Sequence, residues 1–468
     1  MKAPAELSIA EAARELRARR ASSRELVEAC LARIARWQPH VNAFVELDAE
    51  AALAGAREAD ERLAKGDLQP LTGVPLAHKD MFYRVGRVSN CGSKIRRGWK
   101  ASTTSAALER LSAAGALQLG TLNMAEFAYG PTGHNEHFGD CRNPWDTRMI
   151  PGGSSSGSGA TVAARLAFGA LGSDTGGSVR LPAALCGVTG LKTTLGRVSR
   201  HGAMPLSHSL DTIGPLARSA EDCALLLRAI AGHDPRDPTT SREPVPAEAD
   251  LASRSALRVG VSTAWLEGQA DPQVAAAVLE AARVLRGRGI EVREVSAPEL
   301  EPLFVHAMVV MQAEASAQHA RWMRDRPADY GTAVRARLEP GYAIPATAYL
   351  ESLRARTPLL ERFCATTLAG VDAWLAPVVN LLAPTLEQTG AKGGAEMRRI
   401  IGELTPLTRW VNYLGVPALA LPGGFDERGL PIGLQLVGRP FGEGTLLRLG
   451  MAYQQATDWH LRMPPEPS

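Results

Sequence analysis

The stretch that most constrains this chain is Gly172–Arg180, Gly-Ser-Asp-Thr-Gly-Gly-Ser-Val-Arg, which follows the apolar run Ala167–Leu171. A short apolar run before two adjacent glycines predicts a strand that ends in a tight turn. Paired glycines let the backbone take angles that a Cβ forbids, and they turn consecutive N–H groups to one side. Ser178 follows them directly, so a hydroxyl is held beside amides able to receive a developing oxyanion. Two readings of the turn stand side by side: a nucleophile, or an anion site where a helix begins.

The rest of the chain supplies an α/β scaffold. Ser8-Ile-Ala-Glu11 and Ser22-Ser-Arg-Glu25 are capping boxes that open helices, and the alanine-rich Asp48–Lys65 continues in helix. Leu71–Phe82 reads as a buried strand with Lys79 near its end. A helix over Thr104–Ala114 and a strand at Ala116–Leu119 then give a β-α-β rhythm. Pro151-Gly-Gly-Ser-Ser-Ser-Gly-Ser-Gly159 precedes a helix expected over roughly Ala160–Leu166. The proline-rich, polar Asp234–Arg254 reads as a linker. Beyond it come a strand at Ala256–Ser262, a helix from Pro272 to about Arg286 and a strand at Ile290–Val295, a unit expected to pair in parallel. A mainly helical stretch over 300–370 and closing strands at Asp372–Val379, Ala418–Leu421 and Ile432–Val437 complete the pattern.

Composition excludes some functions. The 468 residues carry 52 basic and 49 acidic side chains, a balance that leaves no basic footprint for nucleic acid. Cys30, Cys91, Cys141, Cys186, Cys223 and Cys364 show neither a C-x-x-C pair nor metal-ligand spacing, and read as reduced core thiols of a cytoplasmic protein. No signal peptide and no unbroken apolar span is expected.

Three segments are candidates for a common site: Lys79, the serine-glycine loop at 152–159, and the turn at 174–180. Taken alone, a lysine at a strand end is most often solvated. The serine-glycine loop lacks the Gly-Lys-Ser/Thr ending of a nucleotide loop. No G-x-S-x-G elbow is present, and His78 and His208 have the standing of any lone histidine, more often packed than catalytic. A lysine can activate a serine instead, if burial lowers its pKa enough to leave a neutral amine.

The motifs taken together resemble the amidase signature family. Gly73-Val-Pro-Leu-Ala-His-Lys-Asp80, Pro151-Gly-Gly-Ser-Ser155, Gly172–Pro182, Cys186–Lys192, Gly196–Arg200, Ser209–Pro215 and Gly429–Gln435 carry the likeness over nearly the whole chain. The resemblance implies an α/β amidase signature fold, with a large mixed twisted central sheet covered by helices on both faces. It implies one domain over 1–468: N-terminal helices 1–70, a signature core 71–233, a linker 234–255, and a second lobe with the closing strands 256–468. It also implies a Ser-Ser-Lys triad with Ser178 as nucleophile, Ser154 as the bridging serine that the family holds through a cis peptide bond, and Lys79 as base. Backbone amides of Thr175, Gly176, Gly177 and Ser178 would form the oxyanion hole. Ser155 and Asp174 would orient neighbours, Arg180 would brace the turn, and Ala128 in Phe127-Ala-Tyr-Gly130 would contact substrate. No metal or other cofactor is implied.

The implied activity is hydrolysis of carbon–nitrogen bonds in amides, anilides or carbamates (a urethanase) by a stand-alone monomer or homodimer. The alternatives are the glutaminase component of a Glu-tRNA(Gln) amidotransferase, its A subunit, and a catalytically silent binding subunit. Glutamine-using members place an acid before the segment reading Val411-Asn412 here, to hold the α-ammonium; this chain offers Thr405. Arg356 is the residue expected to hold an α-carboxylate. Specificity is expected from 300–360 and from the loops Gly130–Cys141 and Ser199–Ser209, with His134, His137, His201, Met204 and His208. Met308, Met311 and Trp322 are candidates for an apolar pocket, favouring apolar or aromatic substrates.

Overall fold

The structure, a computed structural model, describes residues 3–253, 255–390 and 394–467. Its frame is one sheet of 11 strands. In chain order these are β1 (Phe44–Leu47), β2 (Pro75–Lys79), β3 (Leu117–Leu122), β4 (Gly169–Asp174), β5 (Thr189–Lys192), β6 (Thr212–Ala217), β7 (Arg258–Val261), β8 (Glu291–Glu294), β9 (Ala373–Pro377), β10 (Ala418–Phe425) and β11 (Pro431–Gly438). Across the sheet they run β1-β3-β2-β4-β6-β5-β10-β11-β9-β7-β8. β2 is parallel to both β3 and β4, and β7 to both β8 and β9, whereas the middle of the sheet is antiparallel.

Burial follows from position. β2, β4, β6, β9 and β11 are buried at every residue, because helices lie on both faces and no residue of these strands meets solvent. β8 is one of the two edges, and its Glu-Val-Arg-Glu sequence is largely exposed, a charged border that discourages pairing with another chain. Both expected capping boxes form, opening α1 (Ile9–Arg17) and α2 (Ser23–Val41). α3 (Ala49–Ala64) and α4 (Ala106–Ala113) lie where periodicity puts them.

Two expectations change. The helix after the serine-glycine run, α5, covers Ser156–Ala163 rather than roughly Ala160–Leu166. The glycines do not break it, because Gly157 and Gly159 touch backbone so closely that a Cβ on either would lie within 3 Å of main-chain atoms. The polar stretch from Asp234 is not a free linker, since Asp234, Asp237 and Thr240 are buried in a mutually hydrogen-bonded turn. Arg254, at its expected end, lies outside the described residues. Strands β1, β5 and β6 had no counterpart in the sequence reading. Among the described residues no helix is long and apolar enough to cross a membrane.

What positions the site is the parallel trio β3-β2-β4. Parallel neighbours end on the same side, and the crevice beyond their carboxyl ends is where α/β sheets bind ligands. Lys79 is the last residue of β2 and Asp174 the last of β4. The 7-residue helix α6 (Arg180–Cys186) then leaves the turn and packs on β10 and β11.

Candidate active site

Lys79 is fully buried, and its Nζ lies 2.7 Å from Ser154 Oγ, 2.9 Å from Ser173 Oγ and 3.1 Å from Ser155 Oγ. Hydroxyls solvate an ammonium less well than water does, so burial pushes the Lys79 pKa down to about 7, against a smaller upward pull from the charges of Asp174 and Asp211. Ser155 Oγ also donates to the carbonyl of Ser173 at 3.2 Å and accepts from its N–H at 3.3 Å, which fixes the loop against β4. The Gly153–Ser154 peptide bond is cis. Ser173 was not singled out from the sequence, although it lies inside the strand-turn motif; alternation along a strand gives no sign of a lysine waiting on one face.

The turn is organised by Asp174. Its carboxylate accepts from the N–H of Gly177 at 2.7 Å and of Val179 at 3.1 Å, and pairs with the Arg180 guanidinium at 3.0 and 3.1 Å. Burial opposes ionisation of Asp174, but Arg180 and these N–H donors outweigh it and hold the pKa at about 2. Arg180 spends its other N–H groups on the Thr408 carbonyl, Asn412 Oδ1 and Gln435 Oε1. The brace expected of Arg180 is therefore a buried ion pair with its hydrogen bonds filled. In the sequence Asn412 and Gln435 stand only as motif landmarks, and nothing local marks Thr408. Its Oγ1 donates to the Gly176 carbonyl at 2.6 Å, while Thr175 Oγ1 donates to Asp211 at 2.6 Å.

One expectation is corrected here. Gly177 was to offer its amide to an oxyanion, but that N–H is taken by Asp174. The glycine is needed for shape: its φ of +125° and the 2.4 Å between Thr408 Oγ1 and a built Cβ exclude other residues. The N–H groups of Thr175, Gly176 and Ser178 meet no acceptor among the described residues. Ser178 is 8% exposed and lines a cavity of about 70 Å³, but its Oγ is not hydrogen-bonded to Ser154. Catalytic contacts are often long before substrate arrives and tighten in its complex.

The same cavity is lined by Ala128, which the sequence had marked, and by Met311, Thr405, Arg337 and Arg409. Phe127 and Ala128 both hold left-handed backbone, at φ +49° and +61°, unusual for side chains other than glycine and asparagine. The apolar pocket expected of three residues is only partly there. Met308 Sδ receives Arg409 Nη1, and Trp322 stacks on Phe127 with ring centroids 5.3 Å apart. Arg356 does not line the cavity; it lies over the Tyr413 ring at 5.3 Å. His134 bonds Asp140 and Thr389, and His137 bonds Glu126. His201, Met204 and His208 line a second cavity, of about 210 Å³, that reaches Ser173 from another side. Among the described residues no cluster of histidine, cysteine and acid side chains has metal-holding geometry.

Fold and site define an α/β enzyme with a buried lysine set among serines at the carboxyl ends of parallel strands. The family model described as Amidase matches residues 25–447, so the chain belongs to the amidase signature family, hydrolases acting on carbon–nitrogen bonds. It is 42% identical to the A subunit of the glutamyl-tRNA(Gln) amidotransferase of Roseiflexus sp. (strain RS-1), over 99% of both chains. Among solved structures it resembles a chain from a vestigial protein complex bearing on the evolutionary origins of an s-triazine catabolic enzyme. That match has 37% identity and a TM-score of 0.88, covering 96% of this chain and 98% of the other. A peptide amidase in complex with the inhibitor chymostatin is 30% identical with a TM-score of 0.84, covering 98% of this chain and 99% of that one.

Proposed function

We propose that the chain hydrolyses a small amide through an acyl-enzyme on Ser178. The observation that carries this reading is the three-hydroxyl cage around the buried Lys79, because it supports a neutral amine near pH 7 within reach of the serines. Ser178 Oγ attacks the carbonyl carbon as its proton passes to Ser154, whose own proton passes to Lys79 Nζ. The carbonyl oxygen becomes an oxyanion facing the N–H groups of Thr175, Gly176 and Ser178. Lys79 then returns the proton through Ser154 to the departing nitrogen, and the C–N bond breaks. Water, deprotonated by the same relay, attacks the acyl carbon and releases a carboxylic acid and free Ser178. Asp174 and Arg180 keep the turn in shape without touching substrate.

The test is labelling by a fluorophosphonate probe together with turnover of short-chain p-nitroanilides and carbamates. Ser178→Ala removes both, and a Ser178→Ala protein that still hydrolyses them overturns the assignment.

A second reading, the A subunit of a Glu-tRNA(Gln) amidotransferase, is favoured by the name and the 42% identity of the relative. Against it, Thr405 stands in the cavity where a carboxylate would hold the α-ammonium of glutamine, and Arg356 lies outside that cavity. Glutaminase activity that appears only when partner subunits are added supports this second reading.

A further inference from the structure

The cavity beside Ser178 is lined by two guanidinium groups and no carboxylate. Arg409 projects from the helix Pro406–Leu414, and its Nε and Cγ lie 3.5 and 3.6 Å from a Cβ built on Gly176, so it flanks the amides of the turn. That Nε is buried and has no hydrogen-bond partner among the described residues. The remaining contacts of Arg409 are soft ones, Met308 Sδ and the face of Phe304 at 5.2 Å. Arg337 reaches the cavity beside Gly130: its Nη1 donates to the Tyr129 carbonyl at 3.0 Å and lies 3.5 Å from a Cβ built on Gly130. Neither forms an ion pair among the described residues, whereas Arg180 and Arg197 pair with Asp174 and Glu443, and Arg218 donates to two carbonyls. Burial lowers the pKa of both, and the charge of Arg337 lowers that of Arg409 further. Two unneutralised cations lining one small, partly buried cavity cost free energy unless an anion completes them.

We infer that Arg337 and Arg409 form a binding site for a carboxylate carried by the substrate, so that the enzyme acts on small amides bearing a negative charge near the scissile bond. The inference rests on the amidase reading above and specifies its substrate class. The position of Arg409 over Gly176 sets the charge within a few bonds of the attacked carbonyl. The small cavity admits a short chain between the two. Two placements share this chemistry, a carboxylate on the acyl side and one on the leaving-group side. The neutral Thr405 in the same wall leaves an ammonium without a partner, so amides carrying only positive charge are excluded.

The experiment measures binding, with catalysis removed by Ser178→Ala. Glutaramate (acyl-side carboxylate), N-acetyl-β-alanine (amine-side carboxylate) and the uncharged butyramide are titrated calorimetrically. At least one anionic amide is expected to bind ten-fold or more tightly than butyramide. Arg409→Gln and Arg337→Gln in the same background abolish that preference, and Arg409→Lys restores part of it. Circular dichroism confirms that each variant is folded, and loss of the preference in Arg337→Gln alone, which lies on a different helix from Arg409, also supports the site. Equal binding of the three ligands, or an anion preference that survives both glutamine variants, overturns it. Failure of the amidase reading has a different signature: the wild-type chain is then neither labelled at Ser178 by the fluorophosphonate nor active on any anilide, whatever the binding data say.

Discussion

Lys79 meets three hydroxyls and, among the described residues, no carboxylate within ion-pair distance. A lysine in that cage is a base only when neutral, so activity depends on its titration. With its pKa lowered by burial to about 7, kcat/KM is expected to rise about tenfold per pH unit below 7 and to level off above it. A pH–rate profile on a neutral-pH-stable anilide checks this, and a flat profile between pH 5 and 8 removes Lys79 from the role of base. Lys79→Met is expected to lower kcat by about 10²–10⁴-fold, the usual range for a general base. The stability effect has a definite sign. The folded pKa lies below the 10.5 of a free lysine, so the unfolded chain binds more protons between about pH 7 and 10.5, and stability gains from this group as pH rises through that window. Asp174 acts with the same sign in an acidic window. Its folded pKa of about 2 lies below the ordinary 3.8, so its contribution is complete above about pH 4 and is lost as pH falls through about 2. Asp174→Asn leaves Arg180 charged and buried, and is expected to destabilise the fold by about 3–5 kcal/mol, measured by urea unfolding at pH 7.

At the scale of elements, the turn is held by what surrounds it rather than by its own sequence. α6 seats on β11 because Gly433 lets the two come together: a Cβ built there would stand 2.1 Å from that of Ala184. Gly433→Ala is therefore expected to push α6 away from the sheet, costing about 1–3 kcal/mol or more and disturbing Arg180, which begins the same helix. Chemical denaturation measures the first effect, and a fall in kcat larger than that in KM reports the second; an unchanged midpoint shows that the helix can shift freely. The turn itself was legible in the sequence because paired glycines after an apolar run leave few conformations. The start of α5 was not, since Ser-Gly repeats carry poor helix propensity and tertiary contact overrides it. Strands β5 and β6 escaped for a related reason: Thr189–Lys192 and Thr212–Ala217 are short, with glycine or proline inside, and only pairing with β4 and β10 makes them strands.

For the whole molecule, the site draws on parts of the chain that the sequence keeps far apart. Lys79, Ser154 and Ser178 could be named as candidates because each lies in a compact local motif that carries the resemblance. Arg337 and Arg409 could not, since an arginine in a helical segment has no local mark of what it faces. Arg337 belongs to the helical stretch between β8 and β9 and Arg409 to the helix Pro406–Leu414 between β9 and β10, and only the fold brings the two to one cavity. That assembly bears on the choice between a lone hydrolase and a glutaminase subunit. Free glutamine carries an ammonium two bonds from its carboxylate, and the cavity answers the carboxylate twice and the ammonium not at all. An ammonium left unpaired beside two guanidinium groups loses its hydration and gains repulsion, a penalty that sites built for charge convert into discrimination of about a hundredfold or more. The isolated chain is accordingly expected to hydrolyse glutaramate at least about a hundredfold more efficiently than glutamine, with kcat/KM compared by ammonia release. Thr405→Asp supplies the missing anion within the same wall and is expected to narrow that ratio. If glutamine is instead the better substrate for the wild-type chain, with or without amidotransferase partner subunits, the cavity's charge does not govern selection and the subunit reading takes precedence.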